Sequence, residues 1–284
     1  SFKRSPVFFI LTRIVVLFFI IIIIFPLLYT LSLSVRSPET VYSAKYFLIP
    51  YEFSFANYID AFVNAEQKLK VSFPRMFLNS AVVTSLSVTL IISMSIFAAF
   101  AFSHLRFPLK ESLYNVMIAS VAMPAQVLLI PLFYILIYLG IINTYQAVIL
   151  AYAGFLIPIG ILILRMFYEQ IPYELTEAGT VDGASDFQLL MKVLLPLAKP
   201  AIATCVILLF LDTWNEFIYA MIFMQDPTIH TVPVGLAKIG TSRYQVNIGT
   251  YSASVMITII PVMIIFAVFQ RWFIAGMTMG ALKH

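Results

Sequence analysis

Apolar runs of about twenty residues recur along the chain between shorter polar connections, the pattern of helices that cross a bilayer. The first runs from Ile14 to about Leu33, behind Lys3, Arg4 and Arg13. The second covers Asn79 to Phe102 and is rich in Ser, Thr and Ala, residues that let helices pack closely in lipid. The third runs from Leu113 to about Leu139 and contains Pro124 and Pro131. The fourth follows a tight turn at Gly140 to Thr144 and reaches Phe167, with Pro158 and Gly160 inside it. The fifth covers Ala201 to about Met224, and the sixth Ser252 to Phe273. Prolines within spans predict kinks whose freed carbonyls face protein or water rather than lipid. The expectation is an all-α, polytopic membrane protein with six transmembrane helices, in one domain of residues 1–284.

The connections differ in kind. Residues 35–78 form a long polar and aromatic loop with Pro38, Pro50 and Pro74, too long for a plain turn and expected to fold on the outer surface. A second outer loop, 225–251, carries Pro227, Pro233, Gly235 and Gly240. The first apolar run resembles a secretory signal, but it is long for one and further spans follow, so an uncleaved span is expected.

Composition agrees with this picture: 62% of residues are hydrophobic, 11% are charged, and the mean hydropathy is +0.99. An ordinary soluble domain is nearer a quarter charged. The net charge of +4 comes from scattered basic residues, which excludes a nucleic-acid patch and instead reports orientation. Six spans leave both termini on one side, together with Lys3, Arg4, Arg13, Arg106, Lys110, Arg165, Lys192, Lys199, Arg271 and Lys283. The other side holds Arg36, Lys45, Lys68, Lys70, Arg75, Lys238 and Arg243, nearly all in one long loop that carries little orienting weight. Both termini, and the connection at 168–200, are therefore expected to be cytoplasmic.

That connection has the fullest local code in the chain. Pro172 suits a first helical position, and Glu174 and Glu177 favour the positive end of a helix. Gly183 sits where the helix would stop. Ser185 to Gln188 reads as a capping box, and Pro196 and Pro200 would end the second helix. The expectation is a short helix, a tight turn and a second short helix. Glu177-Ala178-Gly179, then Gly183, then Val193-Leu194-Leu195-Pro196 resembles the EAA motif of inner-membrane permeases in binding-protein-dependent ABC importers. The chain departs from the motif at Gly179, where the family has Ala.

The resemblance implies the type I ABC importer permease fold, with residues 172–182 as a cytoplasmic coupling helix in a bacterial-type inner membrane. It implies that Glu177 anchors a partner ATPase. Ala178, Gly179, Asp182, Gly183, Ala184 and Pro196 would complete that coupling surface. It also implies a second permease subunit, two copies of an ABC ATPase and an extracytoplasmic substrate-binding protein as partners. ATP and Mg would be bound by the ATPase, with no cofactor in this chain, so the chain is not itself expected to be an enzyme. No G-x-x-x-x-G-K-[ST] occurs. The stretch from Gln270 to Lys283 and the segment Val232 to Leu236 resemble family segments that meet the ATPase pair and the binding protein.

Asp212 and Glu216 are the candidate chemistry. As part of one helix they would share a face, at depths of ~17 Å and ~23 Å counted from Ala201. Ionisable groups at such depth face a bundle interior or a wet cavity. With Trp214 and Asn215 they would suit a sugar, whose C–H face stacks while its hydroxyls bond. A polar clamp to another helix fits equally well. Trp214-Asn215-Glu216-Phe217 also resembles the WNEF stretch of sugar-importer permeases, which implies a carbohydrate or related solute. Two other classes fit parts of the pattern. An ion-coupled secondary transporter would use Asp212 or Glu216. A polytopic membrane enzyme would use Asp182-Gly183-Ala184, but lacks the further aspartates of a metal site. His104, His230 and His284 lie far apart, without carboxylate or cysteine at metal spacing, and the single Cys205 allows no internal disulfide.

Overall fold

A computed structural model describes residues 6–43, 48–50, 52–69, 71–241 and 247–281. Lys3, Arg4, Lys45, Lys70, Arg243, Lys283 and His284 of the charge and histidine readings lie outside them. The described residues form helices and contain no strand. In order these are α1 (Pro6–Ser34), α2 (Ala56–Leu69), α3 (Phe73–His104), α4 (Lys110–Val121), α5 (Leu129–Tyr138) and α6 (Tyr145–Tyr168). There follow α7 (Tyr173–Val181), α8 (Asp186–Leu189), α9 (Leu195–Leu197), α10 (Lys199–Trp214), α11 (Ile218–Phe223), α12 (Val232–Thr241) and α13 (Ile248–Ala281).

Among the described residues four stretches are long and apolar enough to cross a membrane: Phe8–Ser34, Phe73–His104, Tyr145–Tyr168 and Ile248–Trp272. Two bent pairs bring the number to six if each is one span. Lys110–Val121 meets Ala125–Tyr138 at 98°, and Asp186–Leu197 meets Lys199–Trp214 at 75°. The expected kink in the third span is thus a full break. Pro124 is extended, at φ −60° and ψ 129°, and a single 3-10 turn at Ala125–Leu128 restarts the helix. The long loop holds α2, and the second span begins at Phe73, six residues before its apolar run, because Pro74 costs no bond in a first turn.

The chain divides into two compact units. The first comprises Ser1–Pro74 and Gly235–Ile260. Within it the amide of Asn57 donates to the carbonyls of Ser34 and Arg36, at 3.1 and 2.6 Å, tying the end of α1 to α2. The buried guanidinium of Arg36 donates back to Ser32 Oγ. The second unit comprises Arg75–Val234 and Pro261–His284 and is centred on α6, against which α4, α10 and α11 pack. Its buried core runs from Val83 through Ile91, Leu164 and Leu209 to Val234. Pro158 is accommodated within α6, beside Ser95 of α3, whose hydroxyl donates to Ile157 O at 3.3 Å. A Cβ at Gly160 would run into that same serine, so this contact requires glycine, as close helix crossings in lipid do.

At one end of the second unit, polar side chains fix the loop between α11 and α12. Asn79 donates to the carbonyls of Thr228 and His230 and accepts from the Tyr145 hydroxyl. Ser80 Oγ accepts from the Val232 amide. Val232 and Val234 are buried, so these side chains of the Val232–Leu236 segment pack inward rather than present a surface.

Candidate functional site

Two places gather the predicted residues: the helix–turn–helix after α6 and a cavity beside α10. Pro172 precedes the first helix as its cap, one position earlier than expected, because the chain there is still extended, at ψ 131°. After α7 the backbone closes on itself. Gly183, at φ +78°, donates to Thr180 O, and Ala184 donates to Gly179 O, both at 3.0 Å. These are the two bonds of a Schellman motif, with glycine where a left-handed residue is required. Ser185 then caps α8 as read from the sequence. Its hydroxyl accepts from Gln188 N at 3.3 Å, while Gln188 Oε1 accepts from Ser185 N at 3.0 Å.

Glu177, Ala178, Asp182 and Gly183 are exposed, and Gly179 and Ala184 half-buried. Gly179 faces Leu189 of α8, whose methyl group would lie 3.0 Å from an added Cβ. The glycine thus serves packing within the chain. Exposed Leu175, Val181 and Phe187 put apolar surface beside these acids. Upstream, Arg165 is held by Glu169 at 2.7 Å, by Glu111 of α4 at 3.4 Å and by the Tyr114 ring.

The second helix ends at Leu197, between Pro196 and Pro200, as expected. The path passes through a π-turn at Leu190–Leu194, continues as α9 and bends at Ala198 into α10. Both prolines fall in the first turn of a new segment, Pro196 in α9 and Pro200 in α10, where a missing N–H costs no bond. Pro200 thus also opens the helix that follows the bend. Leu190, Leu194 and Ala198 are buried along the bend.

The fifth span likewise differs from a continuous helix. α10 stops at Trp214, and the Asn215 amide donates to Leu211 O at 2.9 Å, closing its end. Asp212 and Glu216 therefore do not share one helix face, and the depth counted for Glu216 along a helix does not apply. Trp214 is only 4% exposed, between Phe77 and Phe210, so its ring offers no open stacking face.

Glu216 sits in the break and organises it. One carboxylate oxygen accepts from Tyr219 N at 2.8 Å. The other accepts from Ala220 N at 3.1 Å and from the Tyr152 hydroxyl of α6 at 2.6 Å. It thereby satisfies the free amides at the start of α11, which a carboxylate does well. The Tyr219 hydroxyl donates to Ala125 O at 2.6 Å, in the 3-10 turn that restarts the broken third span. The two breaks are thus hydrogen-bonded to each other and to α6.

Beside them lies a cavity of about 260 Å³ lined by Gln126, Tyr152, Phe155, Asp212, Glu216 and Tyr219, with Ala125, Leu156 and Ile159. Tyr152, Tyr219 and Gln126 escaped the sequence reading, their only signal being a polar atom inside an apolar run. Among the described residues no group of His, Cys, Asp and Glu could hold a metal. His104 bonds Ser103 and stacks on Phe100.

Known proteins share this architecture. The sequence model of the binding-protein-dependent transport system inner membrane component matches residues 91–279. The trehalose/maltose transport system permease protein MalG of Thermococcus litoralis is 31% identical over 93% of this chain and 92% of its own length. The diacetylchitobiose uptake system permease protein NgcG of Streptomyces coelicolor is 29% identical over 93% of this chain and 85% of its own. A solved bacterial ABC transporter involved in the import of the acidic polysaccharide alginate superposes with a TM-score of 0.82 at 25% identity. That match covers 96% of this chain and 99% of the other. With more than half its length matched, this chain belongs to the family of inner-membrane permease components of binding-protein-dependent transport systems.

Proposed function

We propose that this chain is one of two membrane subunits of an ATP-driven importer for a carbohydrate or related solute delivered by an extracytoplasmic binding protein. Relatives named for trehalose, maltose and diacetylchitobiose uptake support the cargo class. In this reading α7 and the turn Asp182–Ala184 dock into a cytoplasmic ABC ATPase, present in two copies, which binds ATP and Mg and performs the hydrolysis. Both termini are cytoplasmic, as the distribution of basic residues favours. The cavity at Asp212 and Gln126 belongs to the cargo path, while Glu216 holds the path's wall in shape.

One observation carries the docking assignment. The helix–turn–helix is locked by its own backbone and caps, yet exposes Leu175 at 46%, Val181 at 81% and Phe187 at 61% beside Glu177 and Asp182. A rigid segment with an apolar, acidic face is built to be covered by protein. ATP-driven closure of the ATPases would then favour one arrangement of the spans through differential binding. The test is affinity purification of the tagged chain from its own membranes, alone and as Glu177→Lys and Val181→Asp. The wild-type chain brings down an ABC ATPase and a second multi-span protein, and the variants lose the ATPase while keeping the sister subunit. Recovery of undiminished ATPase with both variants sinks the docking assignment.

A further inference from the structure

The two carboxylates of the cavity are not equivalent. Glu216 has both oxygens engaged, by Tyr219 N, Ala220 N and the Tyr152 hydroxyl. Asp212 accepts no hydrogen bond from any described residue and is left uncovered by this chain where it lines the cavity. Among the described residues no lysine, arginine or histidine lines that space. Its remaining polar groups are the Gln126 amide and the two tyrosines, and its walls are Phe155, Leu156 and Ile159. A carboxylate at this place in a membrane protein calls for hydrogen-bond donors or a cation from whatever occupies the cavity.

We propose that Asp212 is a charge filter, a specificity-determining residue that admits neutral, hydroxyl-rich or cationic amino-sugar cargo and turns away acidic sugars. The proposal rests on the reading that this cavity lies on the cargo path. The chemistry is direct. Adjacent hydroxyls of a neutral sugar donate to the two free oxygens of Asp212, while an apolar sugar face lies against Phe155. A uronate or sugar phosphate would bring a second anion within a few ångströms of Asp212, with no cation in the lining to offset it. At the effective dielectric of a partly wet site that repulsion discriminates on the order of 100-fold.

Charge selection can be read without knowing the cargo. The experiment uses the purified importer carrying Cys205→Ser, which removes the chain's only cysteine, together with Gln126→Cys to place a thiol at the exposed lining position. Its modification by a sulfonated and by a trimethylammonium methanethiosulfonate is timed from the mass of this chain, relative to a free thiol in solution. Preference for the cationic reagent on the order of 100-fold is expected, falling by about tenfold when Asp212→Asn is added, since Glu216 remains. Equal preference with and without Asp212→Asn overturns the filter and leaves the path reading standing. A thiol that neither reagent reaches, or labelling that leaves uptake of the importer's own cargo undiminished, removes the cavity from the path, and the proposal falls with it.

Discussion

The turn at Gly183 and the break at Asn215–Phe217 both interrupt a helical path, and they are held by opposite means. Around Gly183 every bond is short-range: Gly183 to Thr180, Ala184 to Gly179, and the reciprocal pair between Ser185 and Gln188. At the second break the local bonds of Asn215 and Glu216 are joined by groups from far along the chain. Tyr152 reaches Glu216 across 64 positions, and Tyr219 reaches Ala125 across 94. A turn closed by its own backbone keeps its shape whatever its neighbours do. A break pinned to two other spans changes whenever those spans move. The first is fit to transmit motion as a stiff piece, and the second to yield to it.

The largest expected effect is at the long-range break. Glu216→Ala leaves two amides and a tyrosine hydroxyl without their acceptor, and costs about 3 kcal/mol. Tyr152→Phe removes one bond and costs about 1 kcal/mol. Thermal unfolding of the purified importer measures both, and the double variant should fall short of their sum because the residues share a bond. Additive costs would show that Tyr152 and Glu216 are not coupled.

A smaller and more confined effect is expected at the turn. Gly183→Ala forces a side chain into the left-handed region, at about 1–2 kcal/mol, and Ser185→Ala loses a cap, at about 1 kcal/mol. Amide hydrogen exchange should quicken over residues 173–189 alone, leaving α6 and α10 protected as before. Spread of the faster exchange into α10 would contradict the local character of the turn.

The smallest effect concerns another local cap. The exposed carboxylate of Asp226 accepts from the Thr228 amide and hydroxyl, both at 2.8 Å, and these bonds hold its pKa below the usual carboxylate value. Its stabilisation is therefore present above the unfolded pKa and is lost as pH falls through the lower, folded one. Exchange of the Thr228 amide should accelerate in that acid window, and Asp226→Asn should remove the dependence. Unchanged dependence in the variant would assign it to another group.

The same division explains what could be read in advance. The helix–turn–helix was legible because Pro172, Gly183, Ser185 and Gln188 act within a few residues of themselves. The apolar runs placed the spans, since periodicity and length suffice for that. Pro124 announced a disturbance, but whether a proline kinks a helix or breaks it by 98° depends on what receives the ends. Here that is partly Tyr219, a residue without any local mark. Pro196 and Pro200 marked the end of the second helix, whereas the π-turn at Leu190–Leu194 ahead of them leaves no compositional sign. Asp212 and Glu216 stood out as acids in an apolar run. That one is saturated and the other open is decided by Tyr152 and by where α10 stops.

The length of α10 bears on how the protein is made. Its sixteen residues rise about 24 Å, short of the about 30 Å hydrocarbon core of a bilayer, and they carry Asp212 near one end. Such a segment is a poor candidate for entering lipid unaided. α1, whose most apolar window has a mean hydropathy of 3.1 and none of its residues buried in this chain, can partition alone as it emerges from the ribosome. α10 emerges after α6, the helix against which it packs. Stable insertion of the fifth span is therefore expected to wait on the fourth, making the order of synthesis part of the assembly pathway.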